Sequence, residues 1–287
     1  MPDEERRTQE TSAQGDACAG CDAESCEGCE SFVDPFATIQ DDTHVKKLIG
    51  VVSGKGGVGK SLVTSLLAST MNRKGHAVGV LDTDATGPSI PRMIGVSENL
   101  KPGEGETIVP AHNDAGIKIM SVDLVLPDAT EPVIWRGPVI SGIIKQFWCD
   151  THWGDLDYLF IDMPPGTSDV ALTVFQHLPV DGIVVVATPQ DLVQTIATKA
   201  IRMADEMEIP VVALVENMSY VVCPDCGREI KVFGDSKLAD VAKSFDIDTF
   251  VRLPFMPELA AASDASTLGQ TELPELGPLV DMLEEML

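Results

Sequence analysis

Basic residues are scarce in this chain. Its 287 residues hold 20 Lys and Arg against 45 Asp and Glu, a formal net charge of −25. That imbalance excludes a surface built to displace the counterions of nucleic acid. It also argues against docking on an anionic membrane. No apolar run approaches the length of a membrane span. The N-terminus is acidic and polar, with no apolar leader segment, which predicts a cytoplasmic protein. Internal repeats are absent. The five histidines, His44, His76, His112, His152 and His177, lack metal-ligand spacing and read as surface or structural residues. Few bases among many acids suit a protein bathed in concentrated salt, where screening relieves self-repulsion. Loss of structure at low salt is the expected consequence.

Disulfides are not expected either. Six of the seven cysteines fall in C-x-x-C pairs, and that spacing in a long chain without a leader favours metal. Cys18, Cys21, Cys26 and Cys29 form C-x2-C-x4-C-x2-C, enough for one cluster or one zinc. They lie in an N-terminal arm, residues 1–44, that holds twelve acids, two arginines and no apolar period. Such an arm is disordered unless a metal orders it. Cys223 and Cys226 form the third pair, in a polar loop with Gly227. Two thiolates do not close a tetrahedral site, and a second copy could supply the missing pair. On spacing alone, zinc, an iron–sulfur cluster and a redox dithiol all remain open. Cys149, beside Trp148 in a predicted helix, reads as a structural cysteine.

What is present is a core of alternating strand and helix signals over residues 45–287. These predict an α/β fold, a mostly parallel sheet with helices on both faces. Strands are expected at 48–52, 77–81, 158–161, 183–187 and 211–215. Helices are expected at 62–74, 139–148, 170–177, 192–207, 238–245 and 279–287. Residues 96–123 mix Gly, Pro and short apolar runs and suggest a hairpin.

Between the first strand and the first helix stands Gly54-Lys55-Gly56-Gly57-Val58-Gly59-Lys60-Ser61. It fits G-x-x-x-x-G-K-[ST] at every fixed position and defines the chain as a P-loop NTPase candidate. Glycines let successive backbone N–H groups face one phosphate, and the helix N-terminus adds a positive dipole end. Lys60 supplies charge to the terminal phosphates and Ser61 a hydroxyl to Mg²⁺. ATP and Mg²⁺ are therefore the expected ligands. Lys55 is not required by the generic loop, and its charge would repel Lys60 unless a polyphosphate lay between them.

Acids at the ends of two predicted strands should meet this loop. Asp162 is the candidate Mg²⁺ ligand. Asp84 is the candidate for polarising the attacking water. Asp82 supports the turn or the outer shell of the metal. Gly166 is a candidate N–H donor to the γ-phosphate. Asp82 and Asp169 serve equally well as turn or cap residues.

The loop G-K-G-G-V-G-K-S resembles the deviant loop of the family that includes MinD, ParA, the nitrogenase iron protein and the Mrp-type ATPases. In that family the extra lysine reaches the nucleotide of a partner subunit, so the resemblance implies a nucleotide-sandwich homodimer with Lys55 at the junction. Further motifs narrow it: D-x-D-x-x-G-P-S from Asp82, W-R-G-P from Trp135, D-M-P-P-G-T from Asp162, Asn217-Met218-Ser219 and Cys223-Pro224-Asp225-Cys226. Together they are similar to the Mrp-type iron–sulfur cluster carrier ATPases over about residues 45–287. That resemblance implies slow ATP hydrolysis with Asp84 as the hydrolytic acid and Asn217 reading adenine. It also implies a [4Fe–4S] cluster held by Cys223 and Cys226 across a two-fold axis, and transfer to apo-protein clients. The N-terminal spacing departs from the C-x13-C-x2-C-x5-C usual in relatives with such an arm. Phe233-Gly234 is followed by Asp235-Ser236-Lys237 where the family carries more glycines. A MinD- or ParA-like partitioning ATPase with a structural zinc site is the alternative. The net charge opposes its DNA-binding form, and the base-free stretch from Thr271 its membrane-binding form.

Overall fold

The computed structural model describes residues 36–84, 87–96, 98–103, 107–126, 137–166 and 168–287. Cys18, Cys21, Cys26 and Cys29 lie outside the described residues, as do Trp135, Arg136 and Thr167. Along the chain the elements are β1 (His44–Val52), α1 (Lys60–Arg73), β2 (Val78–Asp82), a one-turn α2 (Ile90–Met93), β3 (Lys101–Pro102), β4 (Ile108–Val109), β5 (Ala111–His112) and β6 (Lys118–Ser121). There follow α3 (Gly137–Cys149), β7 (Asp155–Asp162), α4 (Asp169–His177), β8 (Gly182–Ala187), α5 (Asp191–Glu206) and β9 (Val211–Glu216). The C-terminal part adds β10 (Val221–Val222), β11 (Glu229–Ile230), α6 (Leu238–Ser244), β12 (Phe250–Arg252), α7 (Pro257–Asp264) and α8 (Gly277–Glu285).

One eight-stranded sheet organises the unit Ala37–Leu287, in the order β12-β9-β8-β1-β7-β2-β6-β5. All its pairings are parallel except β5 with β6. Every residue of β2 and of β8 is buried, on both faces of the pleat. That requires cover above and below, and explains why these strands read as unbroken apolar runs rather than alternating ones. β1 sits at the centre, between β7 and β8. The parallel arrangement brings the C-terminal ends of β1, β2, β7, β8 and β9 to one edge, where open α/β sheets bind ligands.

The sequence expectations for the strands and longer helices are met within a few residues. Gly75 follows α1 with φ +97, as its predicted capping place requires. The differences lie in short elements. Residues 96–123 hold two small antiparallel pairs, and the second one, β5–β6, contributes β6 to the parallel sheet beside β2. β12 has only three residues, too few to show a period, yet it extends the sheet beyond β9. Residues just ahead of β1 are fastened to the unit. The Ala37 N–H donates to the His177 carbonyl at 2.8 Å, and Trp148 Nε1 donates to the Ala37 carbonyl at 2.9 Å.

Candidate functional site: a phosphate loop and a paired-thiol hairpin

β1 delivers the chain into the loop Ser53–Gly59, and α1 begins at Lys60. Gly57 (φ +79) and Gly59 (φ +83) hold the left-handed conformations that turn the loop back over the helix start. Close approach constrains Gly54, and Gly59 a second time. A Cβ on Gly54 would lie 2.1 Å from Ile196 Cγ2 on α5 and 2.7 Å from the Ile196 carbonyl oxygen. A Cβ on Gly59 would lie 2.2 Å from Asn217 Nδ2. The loop is thus wedged between the segments that follow β8 and β9.

At its base lies a buried cation–carboxylate pair. Lys60 Nζ is 2.6 Å from Asp162 Oδ2, and Asp162 is 0% exposed. Ser61 Oγ donates to the same oxygen at 2.6 Å, and Thr64 Oγ1 donates to Oδ1 at 2.7 Å. Thr64 went unnoticed in the sequence; its signal was its place one helical turn after Lys60, on the same face. The donor set suits Mg²⁺, since a buried carboxylate and a serine hydroxyl already converge on one point.

Asp82 ends β2 directly opposite Asp162 on β7. It is 1% exposed. Burial, and then the neighbouring Asp162 charge, push its carboxyl up to about 8, against a pull from Lys60. Asp82 therefore holds a proton at neutral pH. Its oxygens accept from the Asp84 N–H (3.1 Å), the Ser89 N–H (3.3 Å) and Ser121 Oγ (3.2 Å), which shapes the turn carrying half-buried Asp84. The folded chain keeps this proton while the unfolded chain, with the ordinary value of 3.8, releases it. Stability from this group therefore falls as pH rises from about 4 to about 8. Asp82→Asn should flatten that fall. Urea unfolding across the pH range at constant salt checks it, and equal slopes for both proteins would count against a protonated Asp82.

The segment after β7 also bears on the loop. Gly166 (φ +82) donates its N–H to the Ser53 carbonyl at 2.7 Å, so in this structure that N–H is committed to the loop's own backbone. Lys55 is exposed at the crest of the loop. Asn217, 2% exposed, donates from Nδ2 to the Val58 carbonyl at 2.9 Å and accepts the Met218 N–H at Oδ1, also at 2.9 Å. It fastens the loop from the β9 side.

Cys223 and Cys226 sit at the tip of the β10–β11 hairpin. The Cys223 N–H donates to the Arg228 carbonyl, and Gly227, at φ +70, returns its N–H to the Cys223 carbonyl, both at 2.9 Å. Both thiols are free, with Cys226 exposed. The Asp225 and Cys226 backbone N–H groups, then the Cys226 thiol, draw the Cys223 thiol below its usual range. A lowered thiol is what a metal-binding thiolate needs. Val222, Ile230, Val232 and Phe233, which flank this tip along the chain, are each between 41% and 59% exposed. Cys149 is half-buried, and burial pushes its thiol up, which fits its structural reading. Among the described residues no three His, Cys, Asp or Glu side chains gather to hold a metal ion. No described helix is long and apolar enough to cross a membrane.

Fold and loop together define a P-loop NTPase. The model of the NUBPL iron-transfer P-loop NTPase family, within the ParA group, matches residues 44–283, and the chain belongs to that family. It is 42% identical over 257 residues to an iron–sulfur cluster carrier protein of Clostridium perfringens, covering 87% of this chain and 89% of that one. With the Methanocaldococcus jannaschii protein of the same name it shares 46% over 224 residues, covering 77% of each. Among solved structures, it is similar to an Archaeoglobus fulgidus nucleotide-binding protein in complex with ADP. That match has a TM-score of 0.72 at 38% identity, over 81% of this chain and 91% of that one. Pyrococcus furiosus MinD, with a TM-score of 0.57 at 19% identity over 84% of this chain and 98% of that one, shares the fold.

Proposed function

We propose that this chain is an ATP-hydrolysing carrier that holds a [4Fe–4S] cluster between two copies of itself and passes it to apo-proteins. The observation that carries this reading is the paired-thiol tip. Cys226 is exposed and Cys223 partly so, the Cys223 thiol is acid-shifted, and exposed apolar residues flank the pair along the chain. A pair of thiolates completes a four-thiolate set only with a second pair, and the exposed apolar residues nearby in the chain favour contact with a second copy. The carrier names of the relatives support iron–sulfur cargo over zinc.

In this reading the loop N–H groups grip the phosphates, which compete with Asp162 for the Lys60 ammonium. Ser61 and Asp162 are the side chains that would hold Mg²⁺, which supplies charge neutralisation of the β- and γ-oxygens when bound. Asp84 orients a water whose oxygen bonds to the γ-phosphorus as the bond to the β–γ bridging oxygen breaks, giving ADP, phosphate and a proton. Exposed Lys55 reaches the nucleotide of the partner copy, and Asn217 offers its remaining hydrogen and lone pair to the adenine edge. Turnover is slow because the nucleotide is spent on conformation. The arm cysteines Cys18, Cys21, Cys26 and Cys29 form a second candidate site for a cluster or zinc.

Iron and sulfide content after anaerobic reconstitution tests the reading. The Cys223→Ala, Cys226→Ala double variant should lose the load held between copies. A full load in that variant would place the cluster on the arm cysteines and remove the bridging reading; zinc without sulfide in the parent chain would favour the partitioning-ATPase alternative.

A further inference from the structure

Between the phosphate loop and the thiol hairpin runs a short line of polar contacts centred on Arg252. At one end, Asn217 Nδ2 donates to the Val58 carbonyl of the loop. The turn that follows is taut. Met218 adopts φ +55, a left-handed conformation uncommon for a side chain of its size. The Ser219 N–H donates to the Leu253 carbonyl at 2.8 Å, the Leu253 N–H to the Glu216 carbonyl at 2.9 Å, and the Phe255 N–H to the Tyr220 carbonyl at 2.7 Å. The 216–220 segment is thereby laced to the strand carrying Arg252, with little slack.

Arg252 spends its guanidinium in three directions. Nε donates to Ser219 Oγ at 2.9 Å, and Nη2 donates to Glu229 Oε2 at 3.3 Å. Its plane lies over the Tyr220 ring, with Cζ 4.8 Å from the centroid. Glu216, 2% exposed, stands 3.7 Å from Arg252 Nε; its Oε1 accepts from Ser219 Oγ, and its Oε2 has no hydrogen-bond partner. Glu229 belongs to β11, next to Arg228, whose carbonyl holds the Cys223 N–H. The far end of the line is thus the cysteine hairpin. Arg252, Glu216 and Ser219 also line a cavity of about 190 Å³, together with Lys231, Gly234 and Ser236 from the segment that follows the hairpin.

We propose that Arg252 is a positioning residue that ties the phosphate loop to the thiol hairpin, so that the nucleotide bound at the loop sets how Cys223 and Cys226 are presented. The inference rests on the functional reading above and deepens it. Movement of Val58 passes to Asn217 through one hydrogen bond, and the taut turn carries it to Ser219 and Arg252. The planar, rigid fork of an arginine holds Ser219 and Glu229 at once; a lysine has one point charge and cannot. The test therefore measures an effect of one site on the other.

The measurement is the alkylation rate of Cys223 and Cys226 by iodoacetamide, followed on their own peptide by mass spectrometry. The full iron-free chain is used, with Mg-ADP or with a non-hydrolysable Mg-ATP analogue. In the parent chain the two rates should differ by at least about 5-fold, the low end of ordinary inter-site effects. Glu229→Ala and Arg252→Lys should bring the ratio near one, with ATP affinity and turnover within about 2-fold of the parent. Glu229→Gln, which keeps an acceptor for Nη2, should retain the ratio. A purely structural Arg252 would change thermal stability without changing the ratio. A ratio that survives in both Glu229→Ala and Arg252→Lys, or a parent chain with no ratio at all, overturns the tie. Nucleotide affinity and iron uptake are measured on the same parent preparation. Their absence overturns the functional reading itself; their presence with an unaltered ratio in the variants overturns only the tie.

Discussion

Lys60→Met should cost the chain about 3–5 kcal/mol of stability as well as its ATPase activity. Removing the ammonium leaves Asp162 buried at 0% exposure with only the Ser61 and Thr64 hydroxyls for company. An unpaired buried carboxylate is far costlier than a missing attraction, because its desolvation is no longer offset. That loss is a large part of the 5–15 kcal/mol a domain commonly has. Adding Asp162→Asn to Lys60→Met removes the orphaned charge while the amide keeps an acceptor for the hydroxyls. The double variant should regain most of the stability and none of the turnover, which should stay below about 1% of the parent for loss of a positioned cation. Urea unfolding at fixed high salt and a phosphate-release assay read the two effects separately. Equal instability in single and double variants would show that the pair does not hold the loop together.

Low salt should unfold this protein. With 45 acids and 20 bases, most acids have no base to pair with under any arrangement. The bases near acids are already engaged: Lys46 with Asp157, Lys74 with Glu284, Lys231 with Asp235 and Arg252 with Glu229. The remaining repulsion is relieved only by screening, whose length shrinks from about 10 Å at 0.1 M salt to about 3 Å at 1 M. Dialysis from molar KCl to about 10 mM should therefore abolish the far-UV circular dichroism of the fold, and restored KCl should recover it. A spectrum unchanged at low salt would remove the idea of a salt-rich setting and leave the acidity unexplained.

The sequence was most legible where spacing alone defines chemistry. Gly54–Ser61 could be placed because glycine, lysine and serine each have one physical task at a fixed offset from a strand and a helix. Asp162 was legible as an acid needing a partner, because a carboxylate ending an apolar strand cannot stay uncompensated, while Asp82 read equally well as a turn or cap residue. Their division of labour was not legible. Only the register that sets Asp82 opposite Asp162 shows that one is paired with Lys60 while the other holds a proton. The bond from the Gly166 N–H to the Ser53 carbonyl is a backbone contact that no side-chain pattern records. Short elements hid for a different reason. β12 and the β10–β11 hairpin are two or three residues long, too brief for any period, and tertiary pairing alone makes them strands. The Arg252 contacts depend on that same pairing, since Arg252 and Glu216 are partners across β12 and β9, 36 residues apart in number but adjacent in register. Thr64 shows the intermediate case: its helical offset from Lys60 was visible, but threonines are common in helices and nothing marked this one.

The central claim is that thiols from two copies share one cluster, and the arm cysteines complicate any simple iron count. The most direct measurement is iron and sulfide per chain, after anaerobic reconstitution, in full-length protein with Cys18, Cys21, Cys26 and Cys29 all replaced by alanine. The account predicts one [4Fe–4S] cluster per two chains, in a species sedimenting as a dimer, and its loss when Cys223 and Cys226 are replaced as well. Loss of all iron with the four arm replacements alone, or a full cluster on each monomer, would contradict it.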